Sequence, residues 1–95
     1  MATITNKQEL IAYFAEKRDR SAQEGGLYHE TLVALLDILK QSDDITALKS
    51  TIRGLHRTKL AEIQRTADAE TRAEQRKQMA VYDDCLTQMR GISTS

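Results

Sequence analysis

The chain has no proline and no tryptophan, and it holds only four glycines, three tyrosines, one phenylalanine and one cysteine. Without proline, no residue sterically forbids long helices. The lone Cys85 excludes an internal disulfide and a cysteine-ligated structural zinc, and it fits a reducing compartment. A cytoplasmic location is therefore expected. Long apolar runs are also missing. The longest, Leu32 to Leu39, is interrupted by Asp37 and is far too short to cross a bilayer. The first residues lack the basic-then-apolar order of a signal peptide, so no membrane partner is expected. Net charge is absent as well: 14 basic and 14 acidic side chains balance. That neutrality argues against disorder, even though Leu, Ile, Val and Phe make up only about a fifth of the residues.

What fills the chain instead is Ala, Leu, Glu, Gln, Lys and Arg, the strong helix formers. The expected class is all-α, a single helical domain over 1–95. A chain of this length buries a modest share of its surface and is marginal alone. The neutrality also hides a polarity. Residues 1–48 carry five bases and eight acids, net −3, and residues 49–95 carry nine bases and six acids, net +3. Such an asymmetry can steer head-to-tail or antiparallel self-association, but it is too weak to imply nucleic acid or membrane as the default partner.

Thr5 with Gln8, or Asn6 with Glu9, signals the start of a first helix over about 5–24. Leu10, Ile11, Phe14 and Ala15 give it an apolar stripe, and Gly25-Gly26 end it. A second helix over about 27–41 places Tyr28, Leu32, Leu35, Leu36 and Leu39 on one face, the most apolar in the chain. Ser42 or Asp43 is positioned to cap a third helix, and the short connection places the second and third helices side by side.

The stretch from Asp43 to Arg90 organises the rest. It holds 48 residues and a single glycine, Gly54. As one helix it would span about 72 Å, against about 30 Å for a compact globule of this length. Ile45, Leu48, Ile52 and Leu55 form a first apolar seam, joined by Leu60 and Ile63. Met79, Val81, Tyr82, Cys85, Leu86, Met89 and Ile92 form a second, and 68–78 between them is polar. Ile52, Ile63, Glu74 and Cys85 recur every eleven residues, the period of a right-handed coiled coil. The expected architecture is a helical hairpin over about 6–40, packed on the first half of one long helix over 43–90, with a tail at 91–95. The alternative is a four-helix bundle with a break near 66–71, where Thr71 and Glu74 form a capping box.

If the long helix holds, its C-terminal seam lies beyond the reach of the hairpin and must be covered by another chain. The expected function is accordingly a non-enzymatic protein-binding regulator or inhibitor, in the manner of a small antagonist or antirepressor. It would form a dimer or tetramer through a surface built from Ile63, Met79, Val81, Tyr82, Leu86 and Met89. Arg72, Arg76 and Lys77 would set register. The alternative class is a nucleic-acid binder using the basic stripe Lys49, Arg53, Arg57 and Lys59, near His56. No interleaved aromatics or helix-turn-helix pattern support it. A small helical secretion chaperone is a third reading, within the interaction class.

No enzyme, cofactor or metal is expected. His29, His56 and Cys85 are the only catalytic-type side chains besides carboxylates. The two histidines lack metal-ligand spacing, and Cys85 sits within an apolar face, as a buried structural thiol does.

Overall fold

The computed structural model describes residues 4–92, and among them the chain forms four helices: α1 (Lys7–Ser21), α2 (Gly26–Gln41), α3 (Ile45–Arg65) and α4 (Ala69–Met89). Each start is set by a local signal. Asn6 caps α1, its side chain accepting the Glu9 N–H at 2.9 Å, while the Glu9 carboxylate accepts the Thr5 N–H and hydroxyl. Those bonds hold the Glu9 carboxyl below its ordinary pKa. The α1–α2 joint uses glycine where it is required: Gly25 and Gly26 have φ of 62° and 78°, a region that side chains with a Cβ rarely enter. Asp44, rather than Ser42 or Asp43, caps α3 through the Ala47 N–H. Lys7 then ties α1 to the α2–α3 turn by donating to the Ser42 carbonyl at 3.0 Å and pairing with Asp43.

The single long helix expected over 43–90 does not form. The chain turns at residues 66–68, and neither proline nor glycine is needed for it. Asp68 caps α4: its carboxylate accepts both the Thr71 N–H (2.8 Å) and the Thr71 hydroxyl (2.6 Å). On the α3 side the Thr66 hydroxyl donates back to the Glu62 carbonyl at 2.7 Å. The N-cap is thus Asp68, three residues before the Thr71 expected to open a capping box. The turn also interrupts the eleven-residue recurrence between Ile63 and Glu74.

The energetic reason lies downstream. A three-residue break forfeits a few helical hydrogen bonds at about 1 kcal/mol each, and the Asp68 cap returns about 1 kcal/mol. Folding back buries Val81, Cys85 and Met89 completely or nearly so. Val81 and Met89 alone contribute about 3–6 kcal/mol. The balance favours the turn.

The turn decides the topology. α4 lies back along α3, packs against α2 and touches α1, while α2 folds back on α1. α3 meets α1 and α2 only sparingly. So the hairpin of α1 and α2 packs chiefly on α4, not on the first half of α3, and α2 and α3 are not the close neighbours their short connection suggests. One cluster joins Leu10 and Phe14 of α1, Leu32, Leu35, Leu36 and Leu39 of α2, Leu48 and Ile52 of α3, and Val81, Cys85 and Met89 of α4. The C-terminal seam, expected to need cover from another chain, is covered by its own. The radius of gyration is 13.6 Å and the extents are 42 × 29 × 25 Å, slightly longer than a sphere of this length allows. No helix among the described residues is long and apolar enough to cross a membrane.

Candidate interaction surface

The residues expected to form a partner surface divide on folding. Val81 and Met89 step along the buried edge of α4 with Cys85 between them, each four residues from the next, and all three lie inside the core. Ile63 is buried outside the main cluster. Met79, Tyr82 and Leu86 are half-buried, with Tyr82 and Leu86 packed against the core. Arg76 is exposed. Arg72 is half-buried, with its Nε shielded from solvent and without an acceptor among the described residues. An apolar patch open to a partner does not survive there, because α4 spends it on its own fold.

The basic stripe fares differently. Arg53 and Arg57 are exposed and Lys49 is half-buried. Among the described residues none of the three forms an ion pair. Lys59 drops out. It stands about 120° round the helix from Arg53, its side chain is only 16% exposed, and it pairs with Glu62 at 2.8 Å. Leu60 takes its place, two turns from Arg53 on the same strip and 41% exposed, the most exposed large apolar side chain described. The face is therefore Lys49, Arg53, Arg57 and Leu60. The whole of α3 holds five bases (Lys49, Arg53, Arg57, Lys59, Arg65) against the single acid Glu62.

The groups with catalytic chemistry do not converge. The Cys85 thiol is buried, and desolvation, aided by the nearby Asp84 charge, pushes its pKa up to about 12. It stays protonated and is a poor nucleophile. His29 Nδ1 lies 2.9 Å from the Ser21 hydroxyl, which in turn donates to the Arg18 carbonyl at 3.0 Å. That chain ties the start of α2 to the last turn of α1; the Ser21 hydroxyl is back-bonded within its helix and buried. No group of three or more His, Cys, Asp or Glu side chains among the described residues is placed to hold a metal ion.

One polar cluster carried no signal in the sequence. A cleft of about 290 Å³ between α1, α2 and α4 is lined by Tyr13, Lys17, Tyr28 and Asp84 among others. Asp84 accepts from the Tyr13 hydroxyl (2.8 Å), from Lys17 Nζ (2.9 Å) and from Gln88 (3.2 Å). The Lys17 ammonium also lies 4.7 Å from the Tyr13 ring centre, within cation–π range. Burial pushes the Asp84 pKa up, but the bonds from Lys17, Tyr13 and Gln88 outweigh it and hold the carboxyl below its ordinary value. Burial likewise pulls Lys17 down, and Asp84 and Tyr13 together more than offset that, so its pKa lies above the ordinary value. Tyr13, Lys17 and Gln88 all bond to Asp84, so the cluster acts as a clasp between α1 and α4.

Comparison of the chain with family models, with curated proteins and with solved structures returns no match.

Proposed function

We propose that this chain is a non-enzymatic protein-binding regulator and that its contact surface is the outer face of α3. The supporting observation is the exposed Leu60 at the C-terminal end of the strip Lys49, Arg53, Arg57, none of which forms an ion pair among the described residues. An apolar side chain at the end of a row of cations suits a partner that offers an apolar socket flanked by an acidic strip. The leucine supplies buried area, and the cations supply steering and register. Contact through the C-terminal seam has lost its premise, since that seam faces inward.

A photo-cross-linking residue placed at position 60 tests the reading, with exposed Ala12 on α1 as the control position. Expected is a discrete protein adduct from position 60 that vanishes when Arg53→Glu and Arg57→Glu are added. Equal labelling from both positions, or adducts indifferent to the charge reversal, would refute it.

The second reading, nucleic acid tracked by Lys49, Arg53 and Arg57, is favoured by the same unpaired cations. It has no use for an exposed leucine on that face. A gel shift at low salt, where phosphate contacts are strongest, separates the two. Retardation that weakens steeply with added salt supports nucleic acid, and none supports the protein partner.

A further inference from the structure

The large apolar side chains left exposed among the described residues are Leu27, Val33 and Leu60. Two of them sit on oppositely charged strips. Leu60 belongs to the cationic face of α3. Val33, 39% exposed, lies on the outer face of α2 between Glu30 and Asp37. Those two acids stand seven residues apart, about 10 Å along the helix axis, and the cations Lys49, Arg53 and Arg57 cover about 12 Å of α3. Neither Glu30 nor Asp37 forms an ion pair among the described residues. Lys40, at the end of α2, is the exception to the sign of that strip.

We infer that the partner of the α3 face is the α2 face of a second copy of this chain, so that copies associate head to tail. The inference rests on the α3 reading given above and names its occupant. Charge complementarity carries it: neither strip forms an ion pair at home among the described residues, and the two are opposite in sign, similar in length and each carry one exposed apolar residue, Val33 between the acids and Leu60 just beyond the cations. A two-fold dimer of α3 on α3 is disfavoured, because it would set five bases and one acid against the same set. A contact between two different faces does not close on itself, so the assemblies lengthen with concentration. Exposed ion pairs are individually weak and are screened by salt, so the association is weak and strongly dependent on ionic strength.

The test is the absolute mass of the full chain by sedimentation or light scattering. At about 0.01 M salt, where the Debye length is about 30 Å, the mass should rise with concentration above the 10.7 kDa of one chain. At about 1 M salt, where it is about 3 Å, the mass should return to that of one chain. Arg53→Glu with Arg57→Glu, and separately Glu30→Lys with Asp37→Lys, should each abolish the rise. An equimolar mixture of the two variants should restore it, because each reversed strip then meets a complementary one. Arg76→Glu with Arg90→Glu changes net charge by the same amount as the first pair, on exposed positions outside both strips, and should keep the association. Should a charge-reversed variant lose its cooperative melt, the neutral pair Arg53→Gln with Arg57→Gln replaces it, with the same loss expected. A constant single-chain mass at low salt, an association that strengthens with salt, or a mixture that stays monomeric overturns the inference. Single-chain mass together with an adduct from position 60 to a different protein overturns the inference alone and leaves the α3 reading standing; loss of both removes both.

Discussion

Met89 offers a direct probe of whether α4 is held by its own chain. It is fully buried at the end of α4, within the cluster that holds Leu32, Leu35, Leu36 and Leu39 of α2. Met89→Ala removes a large apolar side chain from a packed interior, and such truncations cost about 2–5 kcal/mol, depending on how far the site collapses. The total stability of a 95-residue domain is about 5–14 kcal/mol, so the loss is a large fraction of the whole. At about 4–8 °C per kcal/mol for a chain of this size, even the low end shifts the melting midpoint down by about 8–16 °C. The assay is thermal unfolding followed by circular dichroism, run at two protein concentrations well apart. Leu60→Ala serves as a control, because Leu60 is exposed and surface substitutions usually stay within about 0.5 kcal/mol. The account predicts a large shift for Met89→Ala that is independent of concentration. A shift no greater than that of Leu60→Ala, or one that grows on dilution, would show that another chain covers α4.

Three further outcomes rest on local geometry. Gly54 is helical and exposed, and a Cβ there would meet nothing within 4 Å, so Gly54→Ala should stabilise by about 0.5–1 kcal/mol, visible as a raised melting midpoint. Asp68→Ala removes both bonds to Thr71 and should cost about 0.5–2 kcal/mol in denaturant unfolding, with fraying concentrated in the first turn of α4 by hydrogen exchange. The folded pKa of Asp84 is lowered by Lys17, Tyr13 and Gln88, so its contribution is present above the ordinary value of 3.8 and is lost as pH falls through the folded value. Asp84→Asn should therefore flatten the fall in stability below about pH 4, measured as the melting midpoint against pH, and an unchanged acid limb would count against the clasp.

The all-α class and the apolar stripes were legible because helical periodicity is a property of neighbours in sequence. Leu32, Leu35, Leu36 and Leu39, and likewise Ile45, Leu48 and Ile52, are buried as their spacing implies. The turn at 66–68 was legible only as the alternative break near 66–71, and with Thr71 in place of Asp68 as its cap, because it lacks both proline and glycine. Its only mark is Asp68 three residues before Thr71, and within a polar helix the same aspartate reads equally well as the partner of Arg72 at i,i+4. Deciding between cap and pair requires knowing that Val81 and Met89 have somewhere to go, and that is a tertiary fact. The choice of neighbours was hidden for the same reason. The Lys17–Asp84 pair joins residues 67 apart and leaves no pattern in either helix. In the candidate surface, the strip Lys49, Arg53, Arg57 was readable from its four-residue step. The departure of Lys59 and the arrival of Leu60 are consequences of helical angle, about 120° and about 20° from Arg53 respectively. A basic patch identified by proximity in sequence ignores that angle.

The central claim is that one molecule folds α4 back over its own core. Small-angle X-ray scattering at low protein concentration and about 1 M salt, where head-to-tail contacts are screened, measures this directly. The account predicts a single-chain mass and a radius of gyration close to the 13.6 Å of the Cα trace, enlarged only by side chains and hydration. One unbroken helix over 43–90 would by itself have a radius of gyration of about 21 Å, from its length of about 72 Å. A value at or above that figure, or a mass that stays doubled under these conditions, would contradict the account.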